Sequence, residues 1–232
     1  MLSRVVSSLV TRRTSSLTLR VLQAREKSSL ASLLQREIRE EKGNSLEEPE
    51  LEDLRSKVEK LFKIQETPGC MDVVLQGSVG SDSIKIKFNA QDTVELDEEE
   101  DYDDEDEDHG NVEVVDDGDD EEEADELPGV RFTADIMRDN KGLQFDCVAS
   151  SNLTVERLRY FKDFAKEDED ETRYFGPEFI DLELDVQDNF YSYLADRNID
   201  DALAQFITQF ADLKEQREYL AFLEDAETFV KD

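Results

Sequence analysis

The chain has 232 residues and carries 61 Asp and Glu against 27 Lys and Arg, which gives a formal net charge of −34. The length suits one domain of ordinary size with tails. A chain with this much negative charge repels nucleic-acid phosphates and anionic lipid and attracts basic proteins and cations. Direct nucleic-acid binding is therefore not expected.

The N-terminal segment is positively charged, unlike the rest of the chain. The first 25 residues hold five Arg, many Ser and Thr, and no acidic residue. The residues Leu2, Val5, Val6, Leu9 and Val10 share one helical face. This pattern is typical of a mitochondrial transit peptide, with a disordered basic tail as the alternative. We predict a transit peptide over residues 1–28, a cleavage point no later than about residue 45, and a location in the mitochondrial matrix.

A helix is predicted next, at the start of a single domain over residues 45–232. Ser45 and Glu48 form a capping box, and Pro49 is tolerated in the first turn. Apolar residues follow at spacings of 3, 4 and 3: Leu51, Leu54, Val58 and Leu61. Such a short seam needs a partner helix. The turn at residues 67–69, Thr-Pro-Gly, ends the helix.

Short strands follow, with no helix between them. The alternation is clearest where Ile84, Ile86 and Phe88 are interleaved with lysines. The predicted strands cover residues 71–77, 82–90, 92–96, 129–138, 142–150 and 152–161, with a turn over residues 138–142. Six or seven strands with such short connections predict an antiparallel sheet.

An acidic segment, residues 95–126, interrupts the strands, and 22 of its 32 residues are Asp or Glu. Crowded like charges and few apolar residues predict a disordered loop, although residues 111–115 alternatively form a short strand. The segment either captures basic proteins through its charge or only keeps the protein soluble. The candidate client-binding carboxylates are Asp97, Glu98, Glu99, Glu100, Asp101, Asp103, Asp104, Glu105, Asp106, Glu107, Asp108, Asp119, Asp120, Glu121, Glu122 and Glu123.

The last third of the chain predicts two helices. In the first, Val186, Phe190 and Leu194 recur every fourth residue. The second carries Leu203, Phe206, Phe210 and Leu213, followed by Leu220 and Leu223. The candidates for helix packing or subunit contacts are Leu51, Leu54, Val58, Leu61, Phe190, Leu194, Phe206, Phe210, Leu213 and Leu220.

The sequence carries no recognisable catalytic or metal motif. Its single histidine, His109, lies in the acidic segment, and no Ser–His pair, Cys–His pair or phosphate loop is present. A calcium loop starting at Asp104 fails, because position 6 is His109 rather than Gly and position 12 is Val115 rather than Glu. Cys70 and Cys147 are most simply core thiols. We predict no enzymatic activity, no cofactor, no metal site and no transmembrane segment.

Residues 174–230 resemble the C-terminal signature of the mitochondrial acidic matrix protein family. This family is also called the mitochondrial glycoprotein family and includes the animal complement component Q-subcomponent-binding protein. The matching elements are Gly176-Pro177, the helix end over residues 190–199, and the stretch over residues 214–220. The family usually has a Trp near the end of the last helix, where this chain has Phe222.

The resemblance implies an α+β fold, a twisted seven-stranded antiparallel sheet with one N-terminal and two C-terminal helices, assembled as a ring-shaped homotrimer. It brings no catalytic residues. It implies a non-enzymatic adaptor or chaperone for basic proteins, among them mitochondrial ribosomal or RNA-binding proteins, that supports mitochondrial translation or ribosome assembly and oxidative phosphorylation. The alternative is an acidic matrix protein that stores cations or a ligand.

Overall fold

The computed structural model describes residues 30–43, 49–95, 127–167, 174 and 176–231. The chain divides into two compact units. The larger unit spans residues 47–215, and the smaller one combines residues 1–46 with residues 216–232.

The larger unit is built on a six-stranded antiparallel sheet whose strands lie side by side in chain order. The strands are β1 (Phe62–Glu66), β2 (Asp72–Val79), β3 (Asp82–Val94), β4 (Gly129–Arg138), β5 (Lys141–Ala149) and β6 (Leu153–Phe161). Short connections explain this order for every neighbouring pair except β3 and β4, which residues 95–128 join. The described residues contain six strands rather than the expected seven, and residues 111–115 lie outside them.

The described residues also form helices, which are numbered in chain order. They are α1 (30–43), α2 (Pro49–Val58), α3 (Phe164–Glu167), α4 (Leu184–Ala195) and α5 (Asp201–Lys231), with a 3-10 turn over Phe179–Asp181. Among the described residues, no helix combines the length and the apolar character that crossing a bilayer requires.

The first strand corrects the predicted extent of the N-terminal helix. Helix α2 ends at Val58, and the chain enters β1 at Phe62, inside the stretch predicted as helical. Leu61, predicted as the last residue of the helix seam, therefore lies beyond the helix and is 47% exposed. Pairing explains the difference, because Phe62 is buried opposite Gly77, where a Cβ would lie 2.6 Å from the Phe62 ring. Tertiary contacts of this kind override a local helical spacing.

One hydrophobic core joins one face of the sheet to the helices of the larger unit. The strands contribute Val73, Leu75, Ile84, Ile86, Phe88, Phe132, Ala134, Ile136 and Phe145. The helices contribute Leu51, Val58, Leu194, Leu203, Phe206 and Phe210, with Leu54, Phe190 and Leu213 partly buried against them. The Phe88 and Phe210 rings meet edge to face at 6.3 Å, an arrangement that aromatic pairs prefer. Val186, predicted as the first residue of the α4 seam, is instead exposed.

The smaller unit contains α1, a helix that is not among those predicted from the sequence. Gln35 donates to Glu227 at 2.7 Å and Lys42 pairs with Glu224 at 2.6 Å, so α1 lies along the C-terminal part of α5. Leu34 and Ile38 are half-buried in this unit. Their spacing is a helical signal, but it stands in a stretch that the sequence prediction leaves outside the domain. The predicted cap at Ser45 lies outside the described residues.

Candidate interaction surface

The face of the sheet opposite the core carries polar and charged residues. Successive side chains of a strand point to opposite faces, so the strand register identifies the residues that share this outer face. They include Asp72, Val74, Lys85, Lys87, Asn89, Arg131, Thr133, Asp135, Gln144, Asp146, Arg157 and Arg159. The sheet thus separates an apolar core from a charged surface.

A cavity of about 510 Å³ opens on this outer face. Four carboxylates line it, those of Asp72, Asp92, Asp146 and Glu156, against two cationic side chains, Lys87 and Arg131. The excess charge of the lining is therefore negative. Such a lining attracts a cationic group more strongly than an anionic one.

Both cations of the cavity already have carboxylate partners. Arg131 Nη1 lies 3.3 Å from Asp92 Oδ1, and Lys87 Nζ lies 3.5 Å from Asp135 Oδ2. Asp135 is buried on this face and also accepts a hydrogen bond of 2.6 Å from Gln144 Nε2. A buried carboxylate needs such partners. The ion pair with Asp135 therefore occupies the Lys87 ammonium group, which is not available to bind an anion.

The β6 strand contributes Glu156 to the cavity and bulges at this residue. The β5–β6 register shifts so that Asp146 faces Arg157 and Cys147 faces Val155, which leaves Glu156 as an extra residue. A bulge of this kind places two consecutive residues on one face. Glu156 and Arg157 therefore both lie on the outer face, and Glu156 lines the cavity together with Asp146.

The strands that flank the acidic segment meet beside the cavity. Strand β3 is a single strand where the sequence pattern predicts two, because its pairing with β4 shifts register between Phe88 and Thr93. Beyond the shift, Thr93 pairs with Val130 and Val94 pairs with Gly129. The chain therefore leaves β3 and returns to β4 at paired positions. The candidate client-binding carboxylates between these positions lie outside the described residues.

The first element of the C-terminal signature, Gly176-Pro177, brings the chain into close contact with β6. Gly176 has a φ of +83°, and a Cβ there would lie 1.7 Å from the Leu158 carbonyl oxygen. The close approach lets Glu178 form a bridge with Arg157 of β6, and their side chains form an ion pair. This pair raises the pKa of Arg157, first through the hydrogen bond to Glu178. Only glycine fits this backbone position.

The second signature element, at the end of α4, ties that helix to the β2–β3 turn. Arg197 Nη2 donates to Asp82 Oδ2 at 2.8 Å, and Arg138 Nη2 lies 2.7 Å from Asp82 Oδ1. The guanidinium carbon of Arg197 also lies 3.4 Å from the Tyr193 ring centroid. The hydrogen bond from Arg197 lowers the pKa of Asp82, and Arg138 adds to this effect, whereas burial opposes it.

The third signature element buries a lysine. Lys214 is 1% exposed, and its Nζ lies 3.4 Å from Glu66 Oε2 and 3.5 Å from the Thr67 carbonyl oxygen. These contacts attach α5 to the end of β1. The three signature elements that carry the resemblance therefore stabilise the fold, and they do not converge on one catalytic site.

The cysteines and carboxylates of the described residues show no reactive or metal-binding arrangement. Cys147 is buried, and burial raises the pKa of its thiol well above the usual range. Cys70, predicted as a core thiol, is instead exposed, and it is free. Within the part of the chain that the structure describes, no group of three or more His, Cys, Asp or Glu side chains is placed to hold a metal ion.

Comparison with known proteins gives matches along most of the chain. A family model described as mitochondrial glycoprotein matches residues 34–230. The mitochondrial acidic protein mam33 of Schizosaccharomyces pombe is 30% identical over 223 residues, which cover 88% of this chain and 79% of that protein.

Two solved structures share the fold. The Trypanosoma brucei p22 protein has a TM-score of 0.62 at 22% identity, covering 88% of this chain and 98% of its own. A Leishmania major protein of unknown function, described as a sequence homologue of human p32, has a TM-score of 0.61 at 17% identity, covering 88% of this chain and 99% of its own.

Proposed function

The chain belongs to the mitochondrial glycoprotein family, and we propose that it acts as a non-enzymatic, homotrimeric adaptor or chaperone for basic proteins. The mitochondrial matrix location predicted from the N-terminus agrees with this membership. Basic proteins of mitochondrial translation and ribosome assembly are the proposed clients. Through them the protein would support oxidative phosphorylation.

The observation that carries the proposal is the concentration of negative charge in one segment of the chain. Residues 95–126 hold 22 of the 61 acidic residues of the chain. Their flanking strands pair beside a cavity that is itself lined mainly by carboxylates. A cationic client attracted by the segment would therefore also meet the four carboxylates of the cavity lining. Attraction of this kind raises encounter rates and depends on salt, with a screening length of about 8 Å at physiological ionic strength.

The smaller unit supports the proposal of a homo-oligomer. Leu30, Leu33, Phe222 and Phe229 are exposed in this unit, and exposed apolar side chains grouped together are typical of an interaction surface. Contacts with neighbouring subunits would cover these side chains. Light scattering of Phe222→Ser/Phe229→Ser is expected to give a lower molar mass than the trimer of the unchanged protein. A monomeric unchanged protein would contradict the trimer.

The N-terminal residues 1–28 are proposed as the transit peptide. N-terminal sequencing of the protein purified from mitochondria tests this assignment directly. The expected mature N-terminus lies between residue 29 and about residue 45. An N-terminus at Met1 would contradict it.

Crosslinking in isolated mitochondria tests the client-capture proposal. Three proteins are compared by affinity purification and mass spectrometry: the unchanged chain, a deletion of residues 97–126, and a matched variant in which every Asp and Glu of that range is Asn or Gln. The matched variant keeps the length and removes the charge. We expect the unchanged chain alone to capture basic ribosomal or RNA-binding proteins, and high salt to release them. Equal capture by all three would contradict the proposal.

Calorimetry separates this proposal from the storage alternative. An adaptor whose charge acts diffusely binds Ca²⁺ or Mg²⁺ weakly, and salt suppresses that binding. A storage protein binds the same ions tightly and with a defined stoichiometry. Tight, stoichiometric binding would favour storage.

A further inference from the structure

The beginning of α4 presents aliphatic side chains to solvent. Ile180 is 83% exposed and Leu184 is 77% exposed. Three carboxylates alternate with them along the chain, those of Asp181, Glu183 and Asp185. We call these five residues the α4 ledge. Single exposed aliphatic residues are common on proteins, whereas adjacent ones with a polar rim indicate an interaction site.

The two aliphatic residues lie four positions apart, in the 3-10 turn and at the first residue of α4. The side-chain amide of Gln187 donates to the Ile180 carbonyl oxygen at 3.3 Å and to the Leu182 carbonyl oxygen at 2.8 Å. Gln187 lies three residues after Leu184 on the same helix, so Gln187 and Leu184 share a helix face. Gln187 therefore ties the Ile180 backbone to the helix turn that carries Leu184, which places the two exposed aliphatic residues at the same end of α4.

The ledge is held firmly although it is exposed. Phe179 is buried, and its ring lies 5.4 Å from the Tyr191 ring and 6.2 Å from the Phe190 ring. The Leu182 amide donates to the Phe179 carbonyl oxygen at 3.2 Å, which closes the 3-10 turn. Because the backbone is fixed on both sides of Ile180, a partner would not have to order it on binding.

The carboxylates of the ledge are available to a partner. Among the residues described by the structure, the side chains of Asp181, Glu183 and Asp185 make no hydrogen bond or ion pair. Glu183 occupies the N-cap of α4 without capping it through its side chain. The helix dipole places roughly half a positive charge at this end, which three carboxylates outweigh. The local field of the ledge is therefore negative.

We propose that the α4 ledge binds a basic amphipathic segment of a client, whose apolar face covers Ile180 and Leu184 while its Lys or Arg side chains pair with the three carboxylates. Charge complementarity selects this occupant, because an acidic or neutral apolar partner would leave the carboxylates unpaired or repelled. The inference rests on the proposed function, in which the clients are basic. It adds a preference among them: basic segments with an apolar face bind better than equally charged polar ones.

Two synthetic peptides of equal positive charge test this preference. One places Leu on one helical face and Arg on the other, and the second replaces each Leu by Ser. Fluorescence anisotropy measures their dissociation constants with the full chain, with Ile180→Ser/Leu184→Ser, and with the matched control Leu61→Ser, which removes an exposed leucine elsewhere in the larger unit. Substitutions of exposed residues change stability little, so the variants are expected to fold, and circular dichroism checks this.

The expected result is that the unchanged chain and Leu61→Ser bind the amphipathic peptide about tenfold more tightly than the polar one. Ile180→Ser/Leu184→Ser is expected to lose that ratio while its affinity for the polar peptide stays the same. A further variant, Asp181→Asn/Glu183→Gln/Asp185→Asn, is expected to weaken binding of the amphipathic peptide most strongly at low salt.

Two outcomes would overturn the inference and leave the proposed function standing. In the first, the unchanged chain and the ledge variant both bind the two peptides equally. In the second, Ile180→Ser/Leu184→Ser changes the molar mass of the assembly, which would make the ledge a contact between copies of this chain. Failure of the proposed function gives a different result, since neither peptide would then bind the unchanged chain.

Discussion

The ion pairs of Asp82 give the sharpest stability prediction. The side chain of Asp82 is 6% exposed, and it lies between Arg197, 15% exposed, and Arg138, 64% exposed. Asp82→Asn removes the charge and leaves the Arg197 guanidinium without its carboxylate. Breaking a buried pair costs about 3–5 kcal/mol, and we take about 3 kcal/mol because Arg138 keeps its access to water.

Urea unfolding at a fixed protein concentration measures this cost. With a slope of about 2 kcal/mol per molar urea, the midpoint is expected to fall by about 1.5 M. Arg197→Gln should have a similar effect, and the double variant should cost less than the sum of the two, because both changes break the same pair. Arg138→Gln is the matched control and should shift the midpoint least, since its head group is exposed.

The pH dependence gives a second check on Asp82. Its folded-state pKa is lowered, chiefly by the hydrogen bond from Arg197. The stabilisation is therefore complete above the unfolded-state pKa of about 3.9 and is lost as the pH falls through the folded-state pKa. The difference between the unchanged chain and Asp82→Asn should stay constant from about pH 7 to pH 5 and shrink below about pH 4. No midpoint shift at neutral pH, or a difference that persists in acid, would refute the reasoning.

Three further predictions concern single positions. Gly176→Ala should lower the melting temperature more than Gly69→Ala, because both glycines have positive φ but only at Gly176 would an added Cβ lie 1.7 Å from a backbone oxygen; equal losses would contradict this. Lys214→Ala should cost about 3 kcal/mol in urea unfolding, whereas Lys214→Met should cost less because it refills the space without a charge; an unchanged midpoint in Lys214→Ala would be the contrary result. A maleimide should label Cys70 quickly and Cys147 only on unfolding, since burial raises the pKa of the Cys147 thiol; equal labelling rates in the native protein would contradict the fold around Cys147.

Local patterns are sufficient to predict most of the sheet. The alternation of Ile84, Ile86 and Phe88 identifies β3, because a half-buried strand requires that period. The turn at residues 138–142 joins β4 and β5 as predicted, with Asp139 in the left-handed region at a φ of +57°. In both places the determining interactions lie within a few residues.

Features that depend on distant contacts are not predictable in the same way. The Phe62 strand is recognisable only through its pairing with β2, and the bulge at Glu156 only through its register with β5. Asp82 and Arg197 are 115 positions apart, so no local pattern relates them. Val186 shows the reverse case, because its spacing fits a core seam but it lies in the exposed first turn of α4.

The central claim is that the charge of the acidic segment, rather than its length or shape, attracts basic clients. The most direct test measures the affinity of a lysine-rich peptide as a function of salt. It compares the purified unchanged chain with the variant in which every Asp and Glu of residues 97–126 is Asn or Gln. We predict tight binding by the unchanged chain that weakens steeply with salt, and weak binding with a shallow salt dependence by the variant. Equal affinities and equal salt slopes in the two proteins would contradict the claim.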